Sequence, residues 1–219
     1  MKRVSSVIAA FICLVAVSAQ ETSDNLYWGV RAGVDITLPG NWHYGTDDDA
    51  KMYSAKAGGS IGAFLNVPLP AGMFVEPGAG LYYDTYCYNN LHITDEGGNI
   101  VETNPTIRKI GLRVPVVFGY RLGLSERCAV AVFSGPELNY SFSGKVSSNY
   151  DSELDSSVTE LFGKNGQRRC NVAWTAGASF EWDYNWVLSL VTSFGMNNLL
   201  HHDASYKENR VSVSLGYCF

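Results

Sequence analysis

Residues 209–219 read NRVSVSLGYCF, and the part from Val211 onward decides the fold. Val211, Val213, Leu215, Tyr217 and Phe219 share one parity, and Ser212, Ser214 and Gly216 hold the other. A period of two belongs to a β-strand with one apolar and one polar face. Working outward from this segment, the same alternation recurs. Val172, Trp174, Ala176, Ala178 and Phe180 oppose Asn171, Thr175, Gly177 and Ser179. Ile110, Leu112, Val114, Val116 and Phe118 oppose Lys109, Gly111 and Arg113. Val75, Ala79, Leu81 and Tyr83 oppose Glu76, Gly78, Gly80 and Tyr82. Ala57, Ile61, Ala63 and Leu65 oppose Lys56, Gly58, Ser60 and Gly62. Trp28, Val30, Ala32, Val34 and Ile36 oppose Gly29, Arg31, Gly33, Asp35 and Thr37. Two less regular runs, 128–142 and 185–196, bring the strands to eight. The first of them holds a Gly135-Pro136 step that reads as a bulge.

The connections alternate in length. Short turns fall near Pro68–Gly72, Arg121–Arg127 and Asp183–Asn185, and long polar segments near 38–54, 85–105, 143–169 and 197–208. This pattern predicts an all-β fold, an eight-stranded antiparallel up-and-down transmembrane β-barrel with short periplasmic turns and long extracellular loops. No run of 18 apolar residues follows residue 20, so no membrane-spanning helix is expected.

Composition narrows the function classes. With 46% hydrophobic residues the chain is not intrinsically disordered. Nucleic acid is not an expected partner, because 16 basic residues face 21 acidic ones and no long basic run occurs. At the start, Lys2 and Arg3 precede an apolar run from Val7 to Val17, and Val17-Ser18-Ala19 supplies small residues for cleavage. This predicts a signal peptide over 1–19, with 20–219 as the barrel domain. Cleavage takes Lys2 and Arg3 from the 16 basic residues, leaving 14 against 21 acidic. Export follows an oxidising route, so Cys87, Cys128, Cys170 and Cys218 are free to pair. Cys87 and Cys170 both fall at the long-loop end, and a disulfide between them is expected. Cys128 and Cys218 are not expected to bridge, because their strands are not neighbours in an eight-strand ring.

Alternation alone fits a membrane barrel or a soluble ligand carrier, since only the direction of the greasy face differs. The polar parity decides. It is built of Gly, Ser and Thr with scattered charges of both signs, which suits a narrow lumen better than a water-facing exterior. The expected lumen charge network is Arg31, Lys56, Lys109 and Arg113 against Asp35, Glu76, Asp84, Glu137 and Glu181. Such groups should pair across strands, because an unpaired buried charge costs several kcal/mol. Tyr27, Trp28, Tyr120, Trp182, Tyr184, Trp186 and Tyr217 gather at the short-turn end, where a membrane-interface girdle is expected.

With the strands placed, the chain resembles the PorT-type outer-membrane β-barrel family, common in Bacteroidota, and more distantly the small OmpX/OmpA-like barrels. Four stretches carry the likeness: WGVRAGVDI at 28–36, IGLRVPVVFGYRLG at 110–123, VFSGPELNYSFSG at 132–144, and SFGMNNLLHHD at 193–203 with NRVSVSLGYCF at 209–219. The resemblance implies a Gram-negative outer membrane as the location. It also implies that Phe219 acts as an assembly signal engaged by the barrel-assembly machinery. Cys170-Asn171 stands where an acidic residue would open the sixth strand, a departure from the pattern.

Signals of chemistry are sparse. His43, His92, His201 and His202 all fall in long loops, and His201-His202-Asp203 reads as solvated, not metal-binding. Asp47-Asp48-Asp49 reads as an acidic loop tip. No serine, histidine and acid share a spacing that argues for a nucleophilic triad. A short helix over Glu153–Phe162, capped by Asp151 or Ser152 and ended by Gly163, is expected in the longest loop. These residues lead to an expectation of no catalytic, metal or cofactor site. They describe a structural or interaction barrel in outer-membrane lipid, with a filled lumen and outer loops that meet a protein or surface ligand. A lipid-modifying barrel enzyme and a soluble lipocalin-like carrier are the alternatives.

Overall fold

The computed structural model describes residues 26–40, 53–88, 91–94, 100–103, 105–125, 127–147, 158–162, 166–183, 185–200 and 206–219. The expected signal peptide, Tyr184, His43, His201, His202, Asp203 and the acidic triplet lie outside these residues, as does the side chain of His92. Among the described residues eleven strands occur: β1 (Tyr27–Pro39), β2 (Tyr53–Pro68), β3 (Met73–Tyr88), β4 (Leu91–Thr94), β5 (Ile100–Thr103), β6 (Thr106–Ser125), β7 (Cys128–Ser147), β8 (Val158–Glu160), β9 (Cys170–Trp182), β10 (Trp186–Gly195) and β11 (Glu208–Cys218). Eight of them form one ring in the order β1-β2-β3-β6-β7-β9-β10-β11, each antiparallel to its neighbours. The ring closes where β1 pairs with β11, from Gly29 opposite Cys218 to Pro39 opposite Glu208. Closure gives each of the eight strands a neighbour on both sides, the condition for a sheet immersed in hydrocarbon. Strands β4 and β5 make a separate hairpin, and β8 extends the sheet beside the outer end of β7. Among the described residues no helix is long and apolar enough to cross a membrane.

The two parities separate as lipid-facing and lumenal. Trp28, Val34, Ile61, Leu81, Phe118, Leu190 and Val213 are large apolar side chains on the outer surface, Ile61 being 63% exposed. Asp35, Asp84, Lys109, Arg113, Glu137 and Arg210 are buried inside. An eight-stranded barrel is just wide enough for its own side chains to fill. The short turns hold the backbone conformations that tight reversals need. Between β2 and β3 a 3-10 turn at Pro70–Gly72 places Ala71 and Gly72 at φ of 63° and 79°. Between β9 and β10 Asp183 takes φ 53°, a region that Asp tolerates.

Several expectations are corrected. The Gly135-Pro136 step is no bulge: Pro115 opposes Glu137 and Phe118 opposes Ser134 in one unbroken register. The glycine is there for close approach, since a Cβ on it would lie 2.1 Å from the Val116 carbonyl oxygen. The β6–β7 register instead shifts between Ile110 and Gly111 and again between Gly123 and Ser125. The helix expected over Glu153–Phe162 is not formed at its end, where Val158–Glu160 is strand β8 paired with Lys145–Ser147. Propensity favoured a helix there, but an open β7 edge offers backbone bonds that a lone short helix lacks. The disulfide expected between Cys87 and Cys170 is absent, and all four described thiols are free. Cys87 is buried on β3 with its sulfur 3.3 Å from Thr106 Oγ1, whereas Cys170 is exposed on β9, with β6 and β7 between them in the ring.

Candidate functional site

The site is the lumen itself, organised in tiers along the barrel. Strands β1, β3 and β7 run from the short-turn end to the long-loop end, and β6, β9 and β11 run back. A residue's place along its strand therefore gives its tier.

Nearest the short turns, Arg121 on β6 donates to Glu181 on β9 at 3.0 Å and to the Tyr27 hydroxyl, with its guanidinium 5.1 Å from the Phe74 ring centre. Arg121, Glu181 and Tyr27, with Leu26, Leu69 and Phe219, line an open vestibule of about 610 Å³. One tier up, Arg31 pairs with Glu76, Asn66 Nδ2 donates to the same carboxylate at 3.3 Å, and the Arg31 guanidinium lies 4.0 Å from the Phe64 ring centre.

Mid-barrel holds the densest cluster. Arg210 on β11 forks onto Glu137 on β7 through two bonds, Nη1 to Oε1 at 2.9 Å and Nη2 to Oε2 at 2.8 Å. Ser193 and Ser212 accept two more of its N–H groups at 2.7 and 2.9 Å. Arg113 on β6 donates to Asp35 on β1 at 2.9 Å and to Asn139 at 3.1 Å, and lies 3.7 Å from Asp84 and 3.8 Å from Glu137. Asn139 in turn donates to Glu137 at 2.9 Å. Six strands are thereby tied across the lumen by side chains alone. Bidentate, multiply bonded ion pairs are the arrangement in which buried charges recover their desolvation cost.

Above this, Lys109 pairs with Glu208, and Tyr206 donates to Glu208 at 3.1 Å. The long-loop end is then sealed by an apolar cluster of Tyr86, Ile107, Leu161, Phe162, Leu199 and Tyr206. Loop backbone holds the seal in place: Gln167 N–H donates to Leu161 O at 3.0 Å and Arg168 N–H to Leu199 O at 2.7 Å. The Gln167 side chain also bonds the Tyr86 hydroxyl.

The structure places eight of the nine expected lumen charges inside the barrel and in ion pairs: Arg31, Asp35, Glu76, Asp84, Lys109, Arg113, Glu137 and Glu181. Lys56 is different. It is exposed near the outer rim and donates to Thr106 Oγ1 at 3.2 Å, because the irregularity between Ala55 and Gly59 breaks the alternation there. Sequence reasoning missed Arg121, Glu208 and Arg210, which lie on strand extensions just past the expected ends. Extending the parity of Ser212 by one step back would have found Arg210.

The aromatic girdle is also redrawn. Trp28, Trp182, Trp186, Tyr217 and Phe219 do form a continuous outer run. Trp28 stacks on Phe219 at 4.4 Å, Trp182 on Trp186 at 6.2 Å, and Tyr217 meets Trp186 and Phe219 edge-on at 5.1 Å each. Tyr120 is exposed on the same side of the wall. Tyr27 is not part of it: its parity is opposite to Trp28, and it packs inward against Phe64. A second outer band at the long-loop end, Tyr83, Tyr140, Phe142, Trp174 and Phe194, was not foreseen.

A family profile described as "Outer membrane protein beta-barrel domain" matches residues 18–201. No curated protein matches the chain by sequence. Similar solved structures include Ail, the attachment invasion locus protein of Yersinia pestis, in complex with the heparin analogue sucrose octasulfate. It is 13% identical with a TM-score of 0.46, covering 89% of this chain and 99% of that one. Neisserial surface protein A is 10% identical with a TM-score of 0.45, covering 89% and 99%. OprG from Pseudomonas aeruginosa is 9% identical with a TM-score of 0.46, covering 88% and 95%.

Proposed function

The chain belongs to the outer membrane protein beta-barrel domain family, and from that premise we propose that it is a closed interaction barrel. Its place is the outer membrane. The lumen serves as a rigid, side-chain-filled post, and the long-loop end presents the surface that meets a protein or surface ligand. The single observation that carries this reading is the stacking of two seals: the Arg113–Glu137–Arg210 cluster mid-barrel and the apolar cluster around Phe162 and Leu199 above it. A pore would hold water where these side chains stand. The PorT-type relationship, an export signal over 1–19 and delivery by the barrel-assembly machinery are parts of the same proposal, supported by the quoted motifs and the basic-then-apolar start.

Planar-bilayer recording of the purified full chain tests the closed lumen. The expected result is no stable conductance above the lipid background. A large, long-lived conductance step overturns the reading.

A further inference from the structure

The outer ends of β2, β6 and β7 carry a row of cations on the outward side of the wall that the protein itself does not balance. Arg108 on β6 stands directly opposite Lys145 on β7. Residues so placed in an antiparallel pair share a face, with Cβ atoms about 5 Å apart, and like charges there are destabilising. The face is the outward one. Ile107 and Lys109 on either side of Arg108 are buried in the barrel, whereas Arg108 and Lys145 are exposed. A third cation joins them. The irregularity between Ala55 and Gly59 turns Lys56 outward, and its Nζ donates to Thr106 Oγ1 at 3.2 Å. Thr106 lies two residues from Arg108 on the same face of β6, about 7 Å along the strand. The row continues to Thr85, opposite Arg108 on β3, and to Glu160, opposite Lys145 on β8. Three positive charges therefore meet one carboxylate. Among the described residues none of the three is in an ion pair. Arg169, the next cation along the rim, is held by the Phe142 carbonyl and lies over the Phe162 ring.

The depth of this row points to what balances it. Two residues further down β3 and β6, Tyr83 opposes Ile110, and both are exposed outward, as are Leu81, Tyr140 and Phe142. An outward aromatic band marks the level of the lipid headgroups, so the three cations stand where lipid phosphates lie. Arg grips phosphate through its planar fork and Lys acts on it as a point charge. Basic side chains at a membrane surface draw anionic lipid to it. These side chains leave the wall sideways, toward the bilayer. An anion that meets them can rest its hydrocarbon part against Tyr83, Ile110 and Leu81. Across the ring, β1 and β10 instead carry apolar Ile36, Leu38 and Phe194 outward near their outer ends, so the charge lies on one side of the barrel.

We propose that Lys56, Arg108 and Lys145 bind the phosphate of an anionic lipid in the outer leaflet, with its acyl chains against the wall below. The phosphate supplies the countercharge that the row lacks and fixes lipid to one side of the barrel. The assignment rests on the long-loop end facing the outer leaflet, and is independent of whether the lumen is closed.

Native mass spectrometry of the full chain, released from neutral detergent micelles, counts bound lipid. Phosphatidic acid should form adducts at roughly tenfold lower lipid concentration than phosphatidylcholine of the same acyl length. Lys56→Gln/Arg108→Gln/Lys145→Gln should abolish that preference. Lys207→Gln, which removes an exposed cation beside β11, should keep it. Equal affinity of the wild type for the two lipids overturns the proposal. So does an equal loss of preference in both variants, which would show net charge at work and no site. Heparin bound by the wild type and lost in the triple variant, with no preference for phosphatidic acid, overturns the lipid as occupant in favour of a soluble polyanion. Stability gives a second readout, with heat-dependent gel mobility reporting folding. In neutral detergent Arg108→Gln should match or exceed the urea midpoint of the wild type, because it removes one of two opposed like charges. With phosphatidic acid added, the wild type should gain more than this variant, and an equal gain in both overturns the assignment. Bilayer recording reads the lumen and not this patch, so the closed-lumen reading stands or falls separately.

Discussion

At the scale of single residues, Glu137 is the keystone of the lumen. It is 3% exposed and takes both arms of the Arg210 fork, an N–H of Asn139 and the field of Arg113. Glu137→Ala leaves two buried guanidinium groups short of a carboxylate, and removal of one partner of a buried pair costs roughly 3–5 kcal/mol. The expected outcome is a lower urea midpoint in detergent micelles, read by loss of heat-dependent gel mobility. The paired variant Glu137→Leu/Arg210→Met should lose less than Glu137→Ala alone, because exchange of a whole ion pair for apolar groups is often near neutral. Cysteine chemistry gives a second residue-scale prediction. Maleimide should label exposed Cys170 in the folded barrel and reach buried Cys87 only after unfolding, under non-reducing conditions. A Cys87–Cys170 disulfide would block both. The sequence could place both thiols at one end of the barrel. It could not show that β6 and β7 stand between them in the ring, or that Cys87 is buried while Cys170 is exposed.

Individual elements were largely legible, and their ends were not. The parities of β1, β3, β6, β9 and β11 were visible in 28–37, 75–83, 109–118, 171–180 and 211–219, because lipid and lumen impose opposite demands on successive residues. Yet β6 and β7 run on past the expected segments, to Thr106–Ser125 and Cys128–Ser147. At the outer ends, as at Asn209, the outward side chains need not be apolar, so the alternation fades while the backbone ladder continues; on β6 it persists through Tyr120, Leu122 and Leu124, inside a segment that reads as a turn. That is why Arg121, Glu208 and Arg210 escaped notice. Strand ends also carry the aromatic run, where Trp186 touches Trp182 and Tyr217. Trp186→Ala removes both contacts. At about 0.5–1.5 kcal/mol per aromatic pair beyond buried area, it should lower the unfolding midpoint while leaving the wall closed to conductance.

Across the whole molecule the two seals act in series, which makes their effects on permeation non-additive. Phe162→Ala/Leu199→Ala empties the apolar seal but leaves the Arg113–Glu137–Arg210 ties below it. Glu137→Ala loosens the ties but leaves the seal. Each alone should remain silent in a planar bilayer, and the combination should show brief openings. Conductance from either change alone would show that a single seal carries the closure. The sequence by itself determined the strand number, their parity and which face meets lipid, because these depend only on the chemical nature of successive residues in one chain segment. The tertiary structure alone decided which charges pair across the lumen and that Lys56 leaves the lumen its parity suggested. Those relations join residues tens of positions apart. They are set by the stagger of eight strands around a closed ring, a quantity that no local stretch of sequence encodes.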